Sequence, residues 1–269
     1  MSVAELRVIV SGALGRMGME VGRAVAGATD LQIAAGYDPD REAAKAALWR
    51  DATGGALLVG ELSEALAVGG DVLVDFTHAD AARLNIRDAV AAGLHVVLGT
   101  TGIAPSDLEA VGAEAAAHGT AILFAPNFAI GAVLMMQFAE RAAAYLPDAE
   151  IVEMHHSGKR DAPSGTAKLT AQRIVATRSA AGAVRTPGPA GPALPSRGLN
   201  VPDENGVPVH SIRLPGLVAH QEITFGGAGE TLTIRHDSMS RSSFMPGILL
   251  AIRRVHQFQG LVTGLEHLL

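Results

Sequence analysis

Through the first half of the chain, short apolar runs alternate with segments whose apolar residues recur at helical spacing. Leu6–Val10 is a β-branched run ending at Ser11-Gly12, and Arg16–Ala28 then places Met17, Val21, Ala24, Val25 and Ala28 at helical intervals. The alternation continues with a strand over Leu31–Gly36, a helix over Asp40–Trp49 with Asp40 as its cap, and a weak strand over Leu57–Val59. A strong strand over Asp71–Phe76 leads to a helix over Ala79–Ala92. His95–Leu98 reads as a strand, Ser106 as the cap of a helix running through Ala117, and Ala121–Phe124 as a further strand. This β-α-β-α order predicts a doubly wound parallel sheet with helices on both faces.

After Pro126-Asn127-Phe128 the pattern changes. Ile130–Tyr145 predicts a long helix with Val133, Leu134, Met136 and Phe138 in a broad apolar surface. Glu150–His156 alternates, with Ile151, Glu153 and His155 on one face and Val152, Met154 and His156 on the other. A helix follows from Gly165 to Thr177. Residues 180–208 carry Pro187, Pro189, Pro192, Pro195, Pro202 and Pro208 and read as a long loop. Val209–Leu214, His220–Phe225 and Thr231–His236 suggest an antiparallel meander. Phe244–Gln257 reads as a closing helix whose apolar face packs back on the first domain. The expected fold class is α/β: a Rossmann-like doubly wound parallel sheet, plus an α+β domain with an open mixed, mostly antiparallel sheet. The expected domains are 1–128, completed by 241–269, and 129–240.

Composition narrows the function. Hydrophobic residues make up 48% and aromatics 4%, so the core is built from Ala, Val, Leu and Ile. With 21 basic against 27 acidic residues, the net charge of −6 speaks against a nucleic-acid-coating surface. The chain has no cysteine, which excludes disulfides, thiolate metal sites and a cysteine nucleophile. The start runs directly into a strand with no secretory leader pattern, and apolar runs such as Ala129–Met136 are too short to span a bilayer. No membrane association and a cytoplasmic location are expected.

Gly12-Ala13-Leu14-Gly15-Arg16-Met17-Gly18 stands between the first strand and the first helix. Glycine lets backbone turn tightly and approach a pyrophosphate, and a helix start offers free N–H groups. The spacing is G-x-x-G-x-x-G rather than the commoner G-x-G-x-x-G, and its place between strand and helix is what points to a dinucleotide. Asp38, 26 positions after Gly12, is suited to the adenosine ribose hydroxyls, though taken alone it is an ordinary turn aspartate before Pro39. Arg16 and Arg41 suit a 2′-phosphate instead. The residues thus leave NADH and NADPH both open, with a lean to NADH. The loops Asp75–His78, Gly99–Gly102 and Ala125–Phe128 all fall at carboxyl ends of predicted parallel strands, the edge where such sheets bind ligands.

The most informative segment is EMHHSGKRDAPSGTA at 153–167. His155 and His156 close a strand, Lys159, Arg160 and Asp161 follow, and Ser164 caps a helix whose first N–H groups belong to Gly165 and Thr166. A helix start beside a basic loop suits a carboxylate, and Lys and His add transferable protons. Adjacent strand residues point apart, and no third ligand stands at metal spacing, so no metal is expected.

With VSGALGRMG at 10–18, VDFTH at 74–78, GTTG at 99–102, APNFAIGAV at 125–133 and AHQEITF through GETLTIRHDSMSR at 219–241, this segment makes nearly the whole chain resemble the 4-hydroxy-tetrahydrodipicolinate (dihydrodipicolinate) reductase family of diaminopimelate and lysine biosynthesis. The resemblance implies that Gly12, Ala13, Leu14, Gly15, Arg16 and Met17 hold the pyrophosphate and Asp38 the ribose. Gly99, Thr100, Thr101, Ala125, Pro126, Asn127 and Phe128 would line the nicotinamide side, with Phe244 near the cofactor. His156, Lys159, Gly165 and Thr166 would bind the carboxylates of a planar ring diacid, with Thr101 assisting. His155 would be the acid/base group and Lys159 the proton donor.

The resemblance further implies dehydration of the hydroxylated ring, reduction of the cyclic imine, and a homotetramer built through the second-domain sheet. Two departures stand out. Gly158 replaces a histidine found in many members, and Pro39 replaces an arginine found after the ribose acid in many dual-cofactor members. The second favours NADH. Other classes remain as alternatives: another two-domain amino-acid or semialdehyde dehydrogenase such as aspartate dehydrogenase, or a nucleotide-sensing regulator, for which no basic recognition helix is evident.

Overall fold

A computed structural model describes residues 5–184, 186 and 206–269. The chain divides into two compact units, Met1–Phe128 with Phe244–Leu269, and Ala129–Ser243.

The first unit is the doubly wound sheet that the alternating pattern predicts. Its strands are β1 (Leu6–Ser11), β2 (Leu31–Tyr37), β3 (Leu58–Val59), β4 (Val72–Asp75), β5 (His95–Leu98), β6 (Ala121–Phe124) and, late in the chain, β11 (Gly260–Thr263). They lie in the order β11-β6-β5-β4-β1-β2-β3, and every pairing is parallel. The connecting helices are α1 (Arg16–Ala26), α2 (Ala43–Thr53), α3 (Leu62–Val68), α4 (Ala79–Ala91) and α5 (Pro105–Ala117). A parallel sheet is covered on both faces, so its strands read as continuous aliphatic runs. Ile9, Leu73, Val96, Leu98 and Ile122 accordingly join Ile86 of α4 and Val111 of α5 in one core. The strand order reverses on either side of β1, which makes the end of β1 the topological switch point.

Several local expectations are corrected. Asp40 does not cap α2: its N–H donates to Asp38 (3.0 Å), and the helix starts after Glu42. Ser106 does not cap α5, because Pro105, with its preset φ and missing N–H, opens the helix directly after Ala104. The closing helix is shorter than Phe244–Gln257: α8 spans Met245–Arg254, between 3₁₀ turns at Arg241–Phe244 and Val255–Gln257. Helix α3 and strand β11 were not expected at all. α8 is fastened by a two-pronged ion pair of Arg253 with Asp30 (2.7 and 2.8 Å). Gly247 lets it lie directly on the backbone carbonyl of Phe128, where a Cβ would sit 2.0 Å from the oxygen.

The second unit contains α6 (Ile130–Ala143), α7 (Gly165–Ala180) and a four-stranded sheet of β7 (Asp148–His155), β8 (Val209–Arg213), β9 (Ala219–Gly227) and β10 (Glu230–Ser238). The sheet order is β10-β9-β7-β8, with β7 antiparallel to β9 and parallel to β8. The expected meander is therefore half right: β9 and β10 form a hairpin, but β8 joins β7 rather than β9. A parallel neighbour needs a long crossover, and α7 lies between β7 and β8 in the chain. Ala149, Ile151, Ile223 and Phe225 bury the inner face of the sheet. Phe138 is not part of the apolar seam, being 55% exposed on α6. Most of the expected loop over 180–208, including Pro187, Pro189, Pro192, Pro195 and Pro202, lies outside the described residues.

Trp49, the only tryptophan, is fully buried where α1, α2 and β2 meet. A Cβ on Gly22 would come within 2.5 Å of its ring, and one on Gly36 within 2.6 Å. Gly36→Ala is expected to destabilise the first unit by about 1–3 kcal/mol through overpacking. Urea unfolding followed by Trp49 fluorescence reads this directly; an unchanged midpoint would show that the ring has room to shift.

Candidate functional site

The carboxyl edge of the parallel sheet brings together the predicted dinucleotide residues. β1 ends at Ser11, and the chain turns at Gly12 with φ +74°, a conformation that glycine adopts without strain. The turn is pinned to the end of β2, with the N–H groups of Gly12 and Ala13 donating to the Tyr37 carbonyl (2.9 and 3.1 Å). A Cβ on Gly12 would lie 2.7 Å from the Phe76 carbonyl, and one on Gly18 would lie 2.0 Å from the Gly12 carbonyl. The first glycine therefore serves the turn and the third serves the close packing of α1 beneath it. Gly15 stands at the N-cap of α1 with no side-chain cap, so the helix end is left open to an anion. Arg16 is exposed on the first turn, and Met17 is half-buried behind it.

Asp38 follows β2 and already has work to do: its carboxylate accepts from the N–H of Leu14 (2.9 Å) as well as from Asp40. The acid at the ribose position is thus tied to the glycine turn.

One buried carboxylate organises the neighbouring strand ends. Asp75, at the end of β4, is fully buried and accepts from the Thr77 N–H and hydroxyl (3.1 and 2.8 Å), the Thr100 hydroxyl (2.7 Å) and the Asn85 amide (2.8 Å). Asn85, on α4, also donates to the Ser11 hydroxyl (3.0 Å). This network links the ends of β1, β4 and β5. Gly99 allows the Phe76 ring to lie against the backbone, at 2.0 Å from the place of a Cβ. Phe76 in turn packs on Phe128 at 5.8 Å between ring centroids, tilted by 60°. Thr101 and Pro126 are exposed, Asn127 is half-buried, and Ala125 is anchored by its N–H to the Leu98 carbonyl (3.1 Å). Phe244, half-buried, precedes α8 in this same unit.

The second unit holds the basic segment. β7 ends at His155, and His156 lies beyond it, exposed. The next strong feature is Glu153, fully buried beneath His155. Its carboxylate takes a bidentate ion pair from Arg213 (2.7 and 2.9 Å), a bond with the His155 Nδ1 (2.6 Å), and the backbone N–H of Ser164 (3.2 Å). Burial pushes the Glu153 carboxyl up, but Arg213, Ser211 and His155 outweigh it and hold it below the usual carboxylate range. His155 is drawn below the usual histidine range, by burial first and by Lys159 and Arg213 after it, against the pull of Glu153.

Lys159 closes a turn onto the His156 carbonyl (3.1 Å) and extends its ammonium to Asp161 (2.8 Å). Arg213 also donates to the Asp161 carbonyl (2.8 Å), so one guanidinium braces both strand and loop. Ser164 caps α7, its hydroxyl accepting from the Ala167 N–H (3.2 Å). Gly165 opens the helix with free space where a Cβ would stand, and Thr166 follows it half-buried. Gln221 of β9 fixes the helix start to the sheet through Thr170 (2.9 Å), whose hydroxyl bonds the Thr166 carbonyl (2.8 Å). His155, Ser164 and Arg213 therefore meet on one buried acid, and Lys159 joins them through Asp161.

Sequence reasoning missed Asp75, Asn85, Glu153 and Arg213. Glu153 had left a signal, an acid on the apolar face of an alternating strand, since a buried carboxylate calls for a cation. Among the described residues no group of three or more His, Asp or Glu is placed to hold a metal ion, and no helix is long and apolar enough to cross a membrane.

Comparison with known proteins covers nearly the whole chain. Residues 6–128 match the family model for the N-terminus of dihydrodipicolinate reductase, and residues 131–269 match that for its C-terminus. The 4-hydroxy-tetrahydrodipicolinate reductase of Streptomyces griseus is 46% identical over 269 residues, covering 99% of each chain. That of Mycolicibacterium smegmatis is 44% identical over 265 residues, covering 98% of this chain and 99% of the relative. A solved structure, the dipicolinate-bound dihydrodipicolinate reductase of Paenisporosarcina sp. TG-14, superposes with a TM-score of 0.83 at 38% identity, covering 98% of this chain and 100% of the other. A probable dehydrogenase of Thermotoga maritima, at 12% identity and a TM-score of 0.67, shares the fold alone. The chain belongs to the dihydrodipicolinate reductase family.

Proposed function

We propose that the chain reduces the dehydrated cyclic imine of 4-hydroxy-tetrahydrodipicolinate to tetrahydrodipicolinate, in diaminopimelate and lysine biosynthesis. The observation that carries the reading is the cationic loop and the open space at Gly165, at the start of α7, built around Glu153, within a chain whose relatives bear this activity over their full length. The 38%-identical structure holds dipicolinate, a planar ring diacid of the shape the basic segment suits.

The glycine cradle fits a dinucleotide, since its Cβ-free surface leaves the backbone bare at an open helix end. Gly12, Ala13, Leu14, Gly15, Arg16 and Met17 would hold the pyrophosphate, and Asp38 the adenosine ribose. Gly99, Thr100, Thr101, Ala125, Pro126, Asn127, Phe128 and Phe244 would border the nicotinamide. NADH or NADPH supplies the hydride when bound. The acid at Asp38 and the proline at 39 favour NADH, because a carboxylate accepts from ribose hydroxyls and repels a 2′-phosphate.

On the substrate, His156, Lys159, Gly165 and Thr166 would clamp the carboxylates, with Thr101 assisting. Holding the ring in one orientation supplies much of the rate. Reduction pushes electron density toward the ring nitrogen, and a proton must arrive. Lys159 is the donor: its ammonium, held by Asp161 (2.8 Å), belongs to the loop that follows His155. His155 serves as the acid/base partner. The proposal includes a cytoplasmic homotetramer built through the four-stranded sheet, whose outward residues Val152, Met154 and Ile212 are only partly covered.

Oxidation of NADH, followed by absorbance with substrate made in place by the preceding synthase, is expected to proceed with a higher specificity constant than oxidation of NADPH. No oxidation with either cofactor would overturn the assignment, and a strong NADPH preference would overturn the reading of Asp38 and Pro39. Two substitutions separate binding from chemistry. Lys159→Ala should lower turnover by roughly 10²–10⁴-fold while NADH binding stays near normal. Gly165→Ala meets no protein atom within 4 Å, so it should fold normally yet raise the substrate KM by obstructing the carboxylate. Unchanged turnover in the first or unchanged KM in the second removes that residue from its role.

A further inference from the structure

Which nitrogen of His155 carries the proton is decided by Glu153. Its two oxygens have different partners: Oε1 accepts from the Ser164 N–H (3.2 Å) and one Arg213 nitrogen (2.7 Å), whereas Oε2 takes the other Arg213 nitrogen (2.9 Å) and the His155 Nδ1 (2.6 Å). An ionised carboxylate only accepts, so the His155 Nδ1 must be the donor. The ring's other nitrogen is then the acceptor in neutral imidazole, and among the described residues no hydrogen bond reaches it.

We propose that Glu153 is a positioning residue that locks His155 in its Nδ1–H form, so that, after Lys159 has protonated the ring nitrogen, the bare Nε2 of His155 takes up a proton from water and returns it to Lys159. The same carboxylate holds the first turn of α7, which couples the orientation of the imidazole to the position of the Gly165 and Thr166 amides. This deepens the proposed function and rests on it. The charged groups that surround His155 are consistent with the division of labour. Arg213 from β8 and Lys159 from the loop both disfavour a positive charge on the ring; Glu153 from β7 opposes them; and Asp161 is occupied by Lys159. Ala219, the register partner of His155 on β9, brings no charge to it.

A purely structural role for Glu153 makes different predictions, and Glu153→Gln distinguishes them. The Ser164 N–H and one Arg213 nitrogen hold the glutamine carbonyl at the Oε1 place, so its NH₂ replaces Oε2, loses that oxygen's bond from Arg213 and faces the His155 Nδ1, which becomes an acceptor with the proton on Nε2. The volume is unchanged.

The test combines imidazole ¹⁵N NMR of the full-length protein, with the His155 signals assigned by their loss in His155→Gln, and kinetics of the single and double variants. The wild-type spectrum should show the Nδ1–H tautomer above the titration of His155, and Glu153→Gln should show Nε2–H with the titration moved to lower pH. In turnover, Glu153→Gln should lose on the order of 10²-fold with the KM for NADH unmoved, but less than about two-fold more when His155 is already Gln, because coupled residues are not additive.

An Nε2–H tautomer in the wild type overturns the inference, and needs no Glu153 variant to fold. So does an equal loss from Glu153→Gln with and without His155, which would mean that Glu153 acts only by holding Arg213 and α7. If His155→Gln alone leaves turnover intact, the acid/base role of His155 fails and the positioning role falls with it. That pattern is separate from the first two, since the tautomer is read without turnover.

Discussion

A negative charge with no access to water has to be answered by donors, and at Glu153 the answer shapes the second unit's site. Leaving a buried carboxylate unpaired costs several kcal/mol, far more than a surface ion pair returns. Arg213, His155 and the Ser164 amide supply the donors. They come from three different parts of the fold: the strand after the crossover, the end of β7, and the start of α7. Satisfying one acid therefore fixes where the basic loop begins and ends. Lys159 and Asp161 are then drawn into the same arrangement through the Arg213 bond to the Asp161 carbonyl.

The first unit uses the same device with a different chemistry. Asp75 is as deeply buried as Glu153, yet its donors are neutral: two threonine hydroxyls, an asparagine amide and a backbone N–H. Those bonds align the ends of adjacent parallel strands, which is the edge a dinucleotide needs. The charge-assisted cluster in the second unit sits where proton transfer is proposed. The neutral cluster in the first sits where only shape and backbone amides are required.

The parts of this arrangement legible in the sequence are those governed by local rules. The strand–glycine–helix unit at 6–26 is readable because Gly12 must take a positive φ and Gly18 must meet a carbonyl. The Ser164 cap is readable because its donor is three residues away. What depends on distant partners was not readable. β11 is four residues long and exists by pairing with β6, some 140 positions earlier in the chain. β8 resembles the start of a meander until β7 claims it from the other side. Asp40 and Ser106 fit the pattern of caps, but Asp38 had a better use for the Asp40 amide and Pro105 opened its helix first. Glu153 announced itself only as an acid among aliphatics, and its cation stands 60 residues away.

The central claim is that hydride passes directly from the reduced nicotinamide to the ring of a bound diacid. NADH deuterated at the transferring position of C4, turned over in ordinary water with the synthase-generated substrate, measures this most directly. The account predicts a single deuterium on a ring carbon of tetrahydrodipicolinate, seen by mass spectrometry and located by NMR. NADH oxidation that leaves the product free of deuterium would contradict it.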